Sequence, residues 1–390
     1  MAIAKEIEQS IENSSAIRKM FEEGMQMKAK FGADNVYDFS LGNPNVPPPA
    51  EFFSAVKKFM ESPQPALHGY MPNPGFPAVR EAVAAHIAKE TGVKMTAAGV
   101  VMSCGAAGGI NILLKTLLNP GDEVIVVKPF FAEYMFYIAN YKGRTVQVDS
   151  NPDFSLNIAN IEKAITPLTK AIILNSPNNP SGKVYSQGDI DALAATLRKA
   201  KQPIYLISDE PYKEIVFDGK KVPSVLAAYD NGISITSFSK TLSLPGERIG
   251  FVAVNPNAAD FDMLLQGLGF CTRVLGFVNA PALMQRTIVE LLDVKADMSI
   301  YEKKRDMLVK GLGDAGYEFN PPEGAFYFFC KVPGGDDKAY VEHLKKYNVL
   351  AVAGTGFGGP GYMRLAFCVS DETITGSIPK FKQAIEDFKK

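Results

Sequence analysis

The chain has 390 residues, 46% of them hydrophobic and 21% charged, which suffices for a large core and more than one domain. A formal net charge of −1 supplies no positive excess to draw it to nucleic acid or to an acidic membrane surface. Four widely separated cysteines (Cys104, Cys271, Cys330, Cys368) and three dispersed histidines (His68, His86, His343) argue against a disulfide framework or a metal cluster, and for a reducing, cytoplasmic setting. The N-terminus carries acid early and no apolar run, so it does not read as a signal peptide, and Asn13-Ser14-Ser15 is then no glycosylation site. No stretch approaches the roughly 18 uninterrupted apolar residues of a membrane helix.

Residues 14–30 show apolar positions at helical spacing (Ile17, Met20, Phe21, Met25) behind a serine cap at Ser14 or Ser15. A proline-rich loop through Pro47-Pro48-Pro49 follows and suits a crossover between domains. Short apolar runs then appear at 100–104, 123–127, 171–174, 204–208, 233–236 and 249–254, most of them separated by helical stretches such as Gly108–Leu118 and Ile190–Ala200. Runs apolar on both faces and joined by helices imply a mostly parallel sheet covered on both sides. The last two runs are linked by a loop too short for a helical crossover, so they either pair antiparallel or are not neighbours. Beyond about residue 285 a long helical stretch, Gln285–Leu312, leads into strand-like runs at 325–330, 350–353 and 362–367, with a helix at 337–346 and another at the end. Its Lys303-Lys304-Arg305 cluster reads as a solvated helix face. The expected architecture is α/β: a large domain over residues 48–285 with a mostly parallel mixed sheet, and a small α+β domain over 286–390 joined by the segment 1–47.

The residues with chemical potential gather at predicted strand ends, where open α/β sheets bind ligands. Ser237-Phe238-Ser239-Lys240 follows one strand, with Arg248 eight residues on; a lysine among hydroxyls can hold an aldehyde cofactor as a Schiff base while the other groups grip its phosphate. Ser208-Asp209-Glu210-Pro211-Tyr212 ends another strand: Asp209 either pairs with a protonated ring nitrogen or caps a turn. Asn175-Ser-Pro-Asn-Asn179-Pro180-Ser181-Gly182 reads as a turn, functional only if the Asn179 amide points into the site. Ser103-Cys104-Gly105-Ala106-Ala107-Gly108-Gly109 opens a helix whose free N–H groups either seat an anion or allow tight packing. Gly354-Thr-Gly356-Phe-Gly358-Gly359 echoes a dinucleotide fingerprint but precedes a strand-like run, so it reads as a flexible loop able to serve as a flap.

In this order the elements resemble the pyridoxal-phosphate aminotransferases of class I/II, with the type I fold, over about Asp38 to Phe367. The resemblance implies pyridoxal 5'-phosphate as cofactor, no metal, and Lys240 as its Schiff-base partner and the acid/base that moves the substrate α-proton. It implies Asp209 at the pyridine nitrogen, Tyr212 and Asn179 at the ring oxygen, and Ser237, Ser239, Arg248 and the amides of Gly105, Ala106 and Ala107 at the phosphate. Phe131 matches the aromatic stacked on the ring, although Phe130 and Phe131 could equally be core residues by type. Tyr70 matches a tyrosine that reaches the partner subunit's phosphate, which implies a homodimer with shared sites. Arg364 and Gly42 match the groups that hold the substrate α-carboxylate, and Arg273 is a candidate for the distal carboxylate of a dicarboxylate. Ala106 stands where one aspartate-specific subgroup has lysine, and the usual stacking tryptophan is replaced. The expected activity is amino transfer between an L-amino acid, aspartate among the candidates, and a 2-oxo acid such as 2-oxoglutarate. The alternatives are a β/γ-eliminating lyase or synthase on the same fold, or a ligand-sensing regulator, which would need a nucleic-acid-binding domain this chain has no room for.

Overall fold

A computed structural model describes residues 3–12, 16–61 and 67–388. Ser14, Ser15 and Asn13 lie outside the described residues; the helix behind them spans Ala16–Phe31, with Met20 buried and Met25 exposed. Strand β1 (Tyr37–Asp38) and the proline-rich loop follow, then helices Ala50–Glu61 and Pro77–Thr91. Seven strands form the main sheet: β2 (Val100–Ser103), β3 (Glu123–Lys128), β4 (Arg144–Asp149), β5 (Thr169–Asn175), β6 (Tyr205–Asp209), β7 (Gly232–Ser237) and β8 (Gly250–Val254). Their order is β2-β8-β7-β6-β5-β3-β4. All neighbours run parallel except β8, which is antiparallel to both β7 and β2. The short loop after Ser237 therefore joins antiparallel neighbours.

Alternation explains why the central strands read as unbroken apolar runs. Val124, Val126, Ile173 and Ile207 face helix Gly105–Leu117, whereas Ile125, Val127, Ile172 and Leu206 face helix Gln187–Leu197. Both faces of each strand are thus buried, as a helix-covered parallel sheet requires. Strand β4 is absent from the sequence reading because Arg-Thr-Val-Gln-Val-Asp has no apolar run; it sits at the sheet edge with only Val148 buried.

The C-terminal part carries β9 (Tyr327–Lys331), β10 (Val349–Leu350), β11 (Val352–Ala353) and β12 (Tyr362–Ala366). Three of them form the antiparallel order β11-β12-β9, and β10 pairs in parallel with β1 from the N-terminal segment. Phe39 joins the same core as Phe326, Leu365 and Phe381.

Three expectations change. The stretch Gln285–Leu312 is two helices, Ala282–Val289 and Ser299–Asp314, parted by a turn and loop over 290–298 that apolar spacing conceals, with Asp297 accepting the Ser299 N–H (3.0 Å) just ahead of the second. The Lys303-Lys304-Arg305 run is not one solvated face, since successive residues on a helix point in different directions. Lys303 is exposed and pairs with Asp371, but Lys304 is buried against the Val369 carbonyl. Arg305 is also buried, forked onto Asp218 at 2.7 and 2.9 Å and packed over Phe217. The Gly354 segment, finally, is no flap. It is a single 3₁₀ turn, Gly354–Phe357, with Phe357 fully buried and both the N–H and the hydroxyl of Thr355 bonded to Asp337 (2.7 and 2.9 Å).

A Cβ at Gly354 would lie 2.3 Å from the Gly359 carbonyl and 2.6 Å from that of Tyr362, whereas one at Gly356 would meet nothing within 4 Å. Gly354→Ala is expected to destabilise the protein by about 1–3 kcal/mol through overpacking, with Gly356→Ala near neutral. Urea-denaturation midpoints check this; equal midpoints for the two variants would refute the pinned turn.

Candidate active site

The parallel register brings three strand ends level: Asn175 lies opposite Asp209, and Asp209 opposite Ile235, two residues before Ser237. Above them opens a cavity of about 270 Å³ whose walls come from the seven-stranded sheet, the three-stranded sheet and the N-terminal segment. Lys240 stands on the one-turn helix Phe238–Thr241 that follows β7. Its Nζ donates to the Gly42 carbonyl (2.8 Å) and lies 5.6 Å from the Phe326 ring centre. Burial disfavours the ammonium, as do the charges of Arg248 and Arg364, so its pKa falls from 10.5 to about 8.

Asp209 is buried at the end of β6. Its Oδ2 accepts from the Tyr134 hydroxyl (2.5 Å), and its Oδ1 is buried with no hydrogen-bond partner. Burial raises its pKa to about 7 even though the Tyr134 bond favours the carboxylate, and Glu210 next to it adds to the rise. Tyr212 also lines the cavity, its hydroxyl 2.9 Å from that of Tyr327, and burial holds its phenol firmly protonated.

Arg364 is buried on β12 between the rings of Tyr327 and Phe357, 4.7 Å from each centre. It donates to the Ser40 carbonyl (2.7 Å) and to Asn179 Oδ1 (3.2 Å), while its Nε has no partner. Because the Asn179 carbonyl is taken by Arg364, its amide NH₂ is left as a donor on the cavity wall. Asn179 is itself held by a backbone bond to Asn175 Oδ1 (2.6 Å), and Asn175 by the Asp209 carbonyl (2.8 Å), which ties the Asn-Pro turn to β6.

Ser237, Ser239 and Arg248 line the far end of the cavity, with Ala106 and Ala107 in the first turn of helix Gly105–Leu117. Gly105 itself has a left-handed φ of 72°, and a Cβ there would lie 2.9 Å from an Arg248 nitrogen; glycine makes the room for that guanidinium. An N-terminal helix turn, two hydroxyls and an arginine form a site suited to a phosphate-like anion. Phe131 lines the cavity, edge-on to Tyr134 at 5.5 Å, whereas Phe130 is buried in the core. Gly42 completes the wall against Tyr327.

Two sequence candidates are not brought to this cavity. Tyr70 is 90% exposed, and Arg273 is exposed on helix Phe261–Val274 against the Phe270 ring. Three tyrosines that sequence reasoning missed lie on it or against it: Tyr137 and Tyr327 line the cavity, and Tyr134 bonds Asp209. Tyr134 stands in the first turn of helix Glu133–Ala139, its N–H bonded to the Phe131 carbonyl (3.1 Å), and nothing in its residue type alone marks it. Tyr327 sits in the run 325–330, which its composition marks only as core. Among the described residues no group of His, Cys, Asp and Glu could hold a metal ion, and no helix is long and apolar enough to cross a membrane.

Comparison with known proteins gives the arrangement its context. The family model described as aminotransferase class I and II matches residues 34–378. A protein of Aquifex aeolicus, "Probable aspartate/prephenate aminotransferase", is 31% identical over 376 residues, covering 93% of each chain. An "Aromatic-amino-acid aminotransferase 2" of Thermococcus litoralis is 28% identical over the full length of both. The crystal structure of an amino transferase from Eubacterium rectale superposes with a TM-score of 0.96 at 38% identity, with all of both chains covered. The match over nearly the whole length, including every strand end that lines the cavity, means that this chain is an enzyme of the aminotransferase class I and II family.

Proposed function

We propose that this aminotransferase binds pyridoxal 5'-phosphate in the cavity beneath Arg364. There it moves the amino group of an L-amino acid, aspartate among the candidates, to a 2-oxo acid such as 2-oxoglutarate. The family is one of pyridoxal-phosphate-dependent enzymes. The observation that carries the reading is the unpartnered, buried Asp209 Oδ1 in the same cavity as a desolvated lysine amine. A buried carboxylate oxygen without a donor is costly unless a ligand supplies one, and a protonated pyridine nitrogen does so. The orphan Arg364 Nε asks in the same way for a carboxylate.

When bound, the cofactor supplies the electron sink that lets the substrate Cα–H bond break. Every other duty falls to this chain. Asp209, held by the Tyr134 hydroxyl on Oδ2, would offer its unpartnered Oδ1 to the ring nitrogen and keep a proton there. Tyr212 and the Asn179 amide donate to the ring oxygen. Ser237, Ser239, Arg248 and the amides of Gly105, Ala106 and Ala107 hold the phosphate, and Phe131 covers the ring. Arg364 grips the α-carboxylate together with the Gly42 N–H, fixing the α-carbon near Lys240. The Lys240 amine, its pKa lowered to about 8, would take the proton from the substrate Cα.

The reading includes a homodimer in which Tyr70 reaches the partner's phosphate and Arg273 a distal substrate carboxylate. In support, Tyr70 is exposed, as are Met263, Phe270 and Val274 on the helix that carries Arg273. It also includes the division into 1–47, 48–285 and 286–390, supported by the pairing of β1 with β10 and by the shared core of Phe39 and Phe381. Relatives named for aspartate/prephenate and for aromatic amino acids make both donor classes candidates. A donor panel against 2-oxoglutarate decides between them, and ammonia release in place of 2-oxo acid exchange would instead indicate an eliminating lyase.

Apo-protein should capture pyridoxal 5'-phosphate at a rate that rises with pH about a midpoint near 8, with borohydride then fixing it to Lys240. A midpoint near the ordinary lysine value of 10.5, or attachment to another lysine, would sink the assignment. Arg364→Lys removes the planar fork while keeping the charge. It should raise KM for both substrates by about 100-fold with the cofactor absorbance intact; unchanged KM would exclude the clamp. Asp209 has a folded-state pKa above its unfolded value, so its protonated form stabilises the apo-protein at low pH, and that contribution is lost as pH rises through about 7. Apo Asp209→Asn should therefore gain stability relative to apo wild type between about pH 5 and pH 8, on the order of 3 kcal/mol. Denaturation curves at both pH values check this, and a pH-independent difference would contradict it.

A further inference from the structure

A second cavity, of about 260 Å³, opens on the other face of the main sheet. Successive residues of a strand point to opposite faces. At the end of β6, Asp209 borders the first cavity and Glu210 this one. On β7, Ile233 and Ile235 join the core under helix Gly105–Leu117, whereas Ser234 and Thr236 turn to the second cavity. The Ile-Ser-Ile-Thr alternation thus sets hydroxyls on the covered side of a central strand, where a helix-covered sheet needs only apolar residues. Glu210 is 4% exposed. Its Oε2 accepts from the Ser234 hydroxyl (2.9 Å), and the Thr236 hydroxyl is bonded to its backbone carbonyl (3.1 Å). Among the described residues, no donor or cation is bonded to its Oε1.

The other charges around this cavity pair with one another toward its mouth. Lys213 sits on Glu90 (2.7 Å), Lys89 on Asp293 (3.1 Å) and Lys295 on Glu214, with His86 between Glu90 and Asp293 at 3.4 and 3.2 Å. Burial works against the Lys213 ammonium, but the charges of Glu210 and Glu90 outweigh it and keep the amine protonated on Glu90. We propose that the cavity binds a small organic ammonium, its N–H on Glu210 Oε1 and its apolar body against Phe238, Leu242 and Phe251. These three walls belong to one buried apolar cluster. A buried carboxylate oxygen without a donor is costly, and a charged N–H supplies the missing bond. A ligand that also bore a carboxylate would find each lysine of the mouth already paired with an acid. A bare metal ion would leave most of the space unfilled, since one water takes only about 30 Å³. Phe238 and Thr241 belong to the one-turn helix that carries Lys240, so an occupant packs against the back of that turn.

The test titrates benzylammonium calorimetrically into holoenzyme whose cofactor has been fixed with borohydride, so that the amine cannot condense with it. One molecule per chain should bind. Glu210→Gln keeps the shape of the side chain and removes its charge, and should weaken binding by about 10-fold or more. Benzyl alcohol and benzoate have nearly the same shape without the ammonium. In wild type each should bind about 10-fold more weakly than benzylammonium, a comparison that carries the test should the glutamine variant fold poorly. Equal affinity for the ammonium and the alcohol would overturn the site, as would equal affinity of wild type and Glu210→Gln or the absence of saturable binding. Displacement of benzylammonium by potassium chloride at equal concentration would overturn the organic ligand in favour of a bare cation. Failure of borohydride to fix any cofactor would count against the aminotransferase site reading alone; the titration then runs unchanged on the protein as purified.

Discussion

The antiparallel pairing of β7 with β8 is the constraint on which the site depends. Ser237 and Gly250 are opposite one another, so the chain must leave the sheet and return between residues 238 and 249. Lys240 and Arg248 both ride on that short excursion above the carboxyl ends of the strands. The register cannot slip easily: a Cβ at Gly250 would meet the Thr236 carbonyl at 2.3 Å and the Gly105 backbone at 3.1 Å. The return also sets Arg248 in a left-handed conformation with its guanidinium beside Gly105, at the open end of a helix. A helical crossover to a parallel strand would have carried the arginine to the far side of the sheet.

Around this loop the protein buries charges that it does not fully pair. Desolvation lowers the Lys240 pKa and raises that of Asp209, so both move toward their neutral forms near neutral pH. Arg364 keeps its charge but lacks a partner for Nε. Such groups weaken the unliganded fold and strengthen contacts with any ligand that brings the missing charges, because the surroundings screen poorly. The hydrogen bonds to Asp209, Asn179 and Arg364 come from residues far apart in the chain. Orientation is therefore set before a ligand arrives, and little is left to rearrange.

Much of this could be read from the residues. Lys240, Asp209 and Asn179 each follow an apolar run that ends in small or polar residues, and a strand end is where an open sheet places chemistry. The choice between Phe130 and Phe131 could not be made by residue type, since it depends on which side of one backbone turn faces the cavity. Strand β4 stayed hidden because an edge strand needs only one apolar face. Lys304 and Arg305 were misread because charge in sequence does not report the direction of a helical side chain; Arg305 packs inward because Asp218, 87 positions earlier, accepts its fork. Tyr327 was invisible for a related reason: an aromatic strand residue looks like core until the hydroxyl opposite it is known.

The N-terminal segment is the last feature to weigh. Phe39 bonds to Leu350, Ser40 accepts from Arg364, and Gly42 accepts from Lys240. Residues near position 40 therefore fasten to both halves of the site, one contact reaching Lys240 above the main sheet and another Arg364 on β12. One short segment thus restrains the lysine amine and the guanidinium together, so any shift of it loosens both ends of the cavity at once.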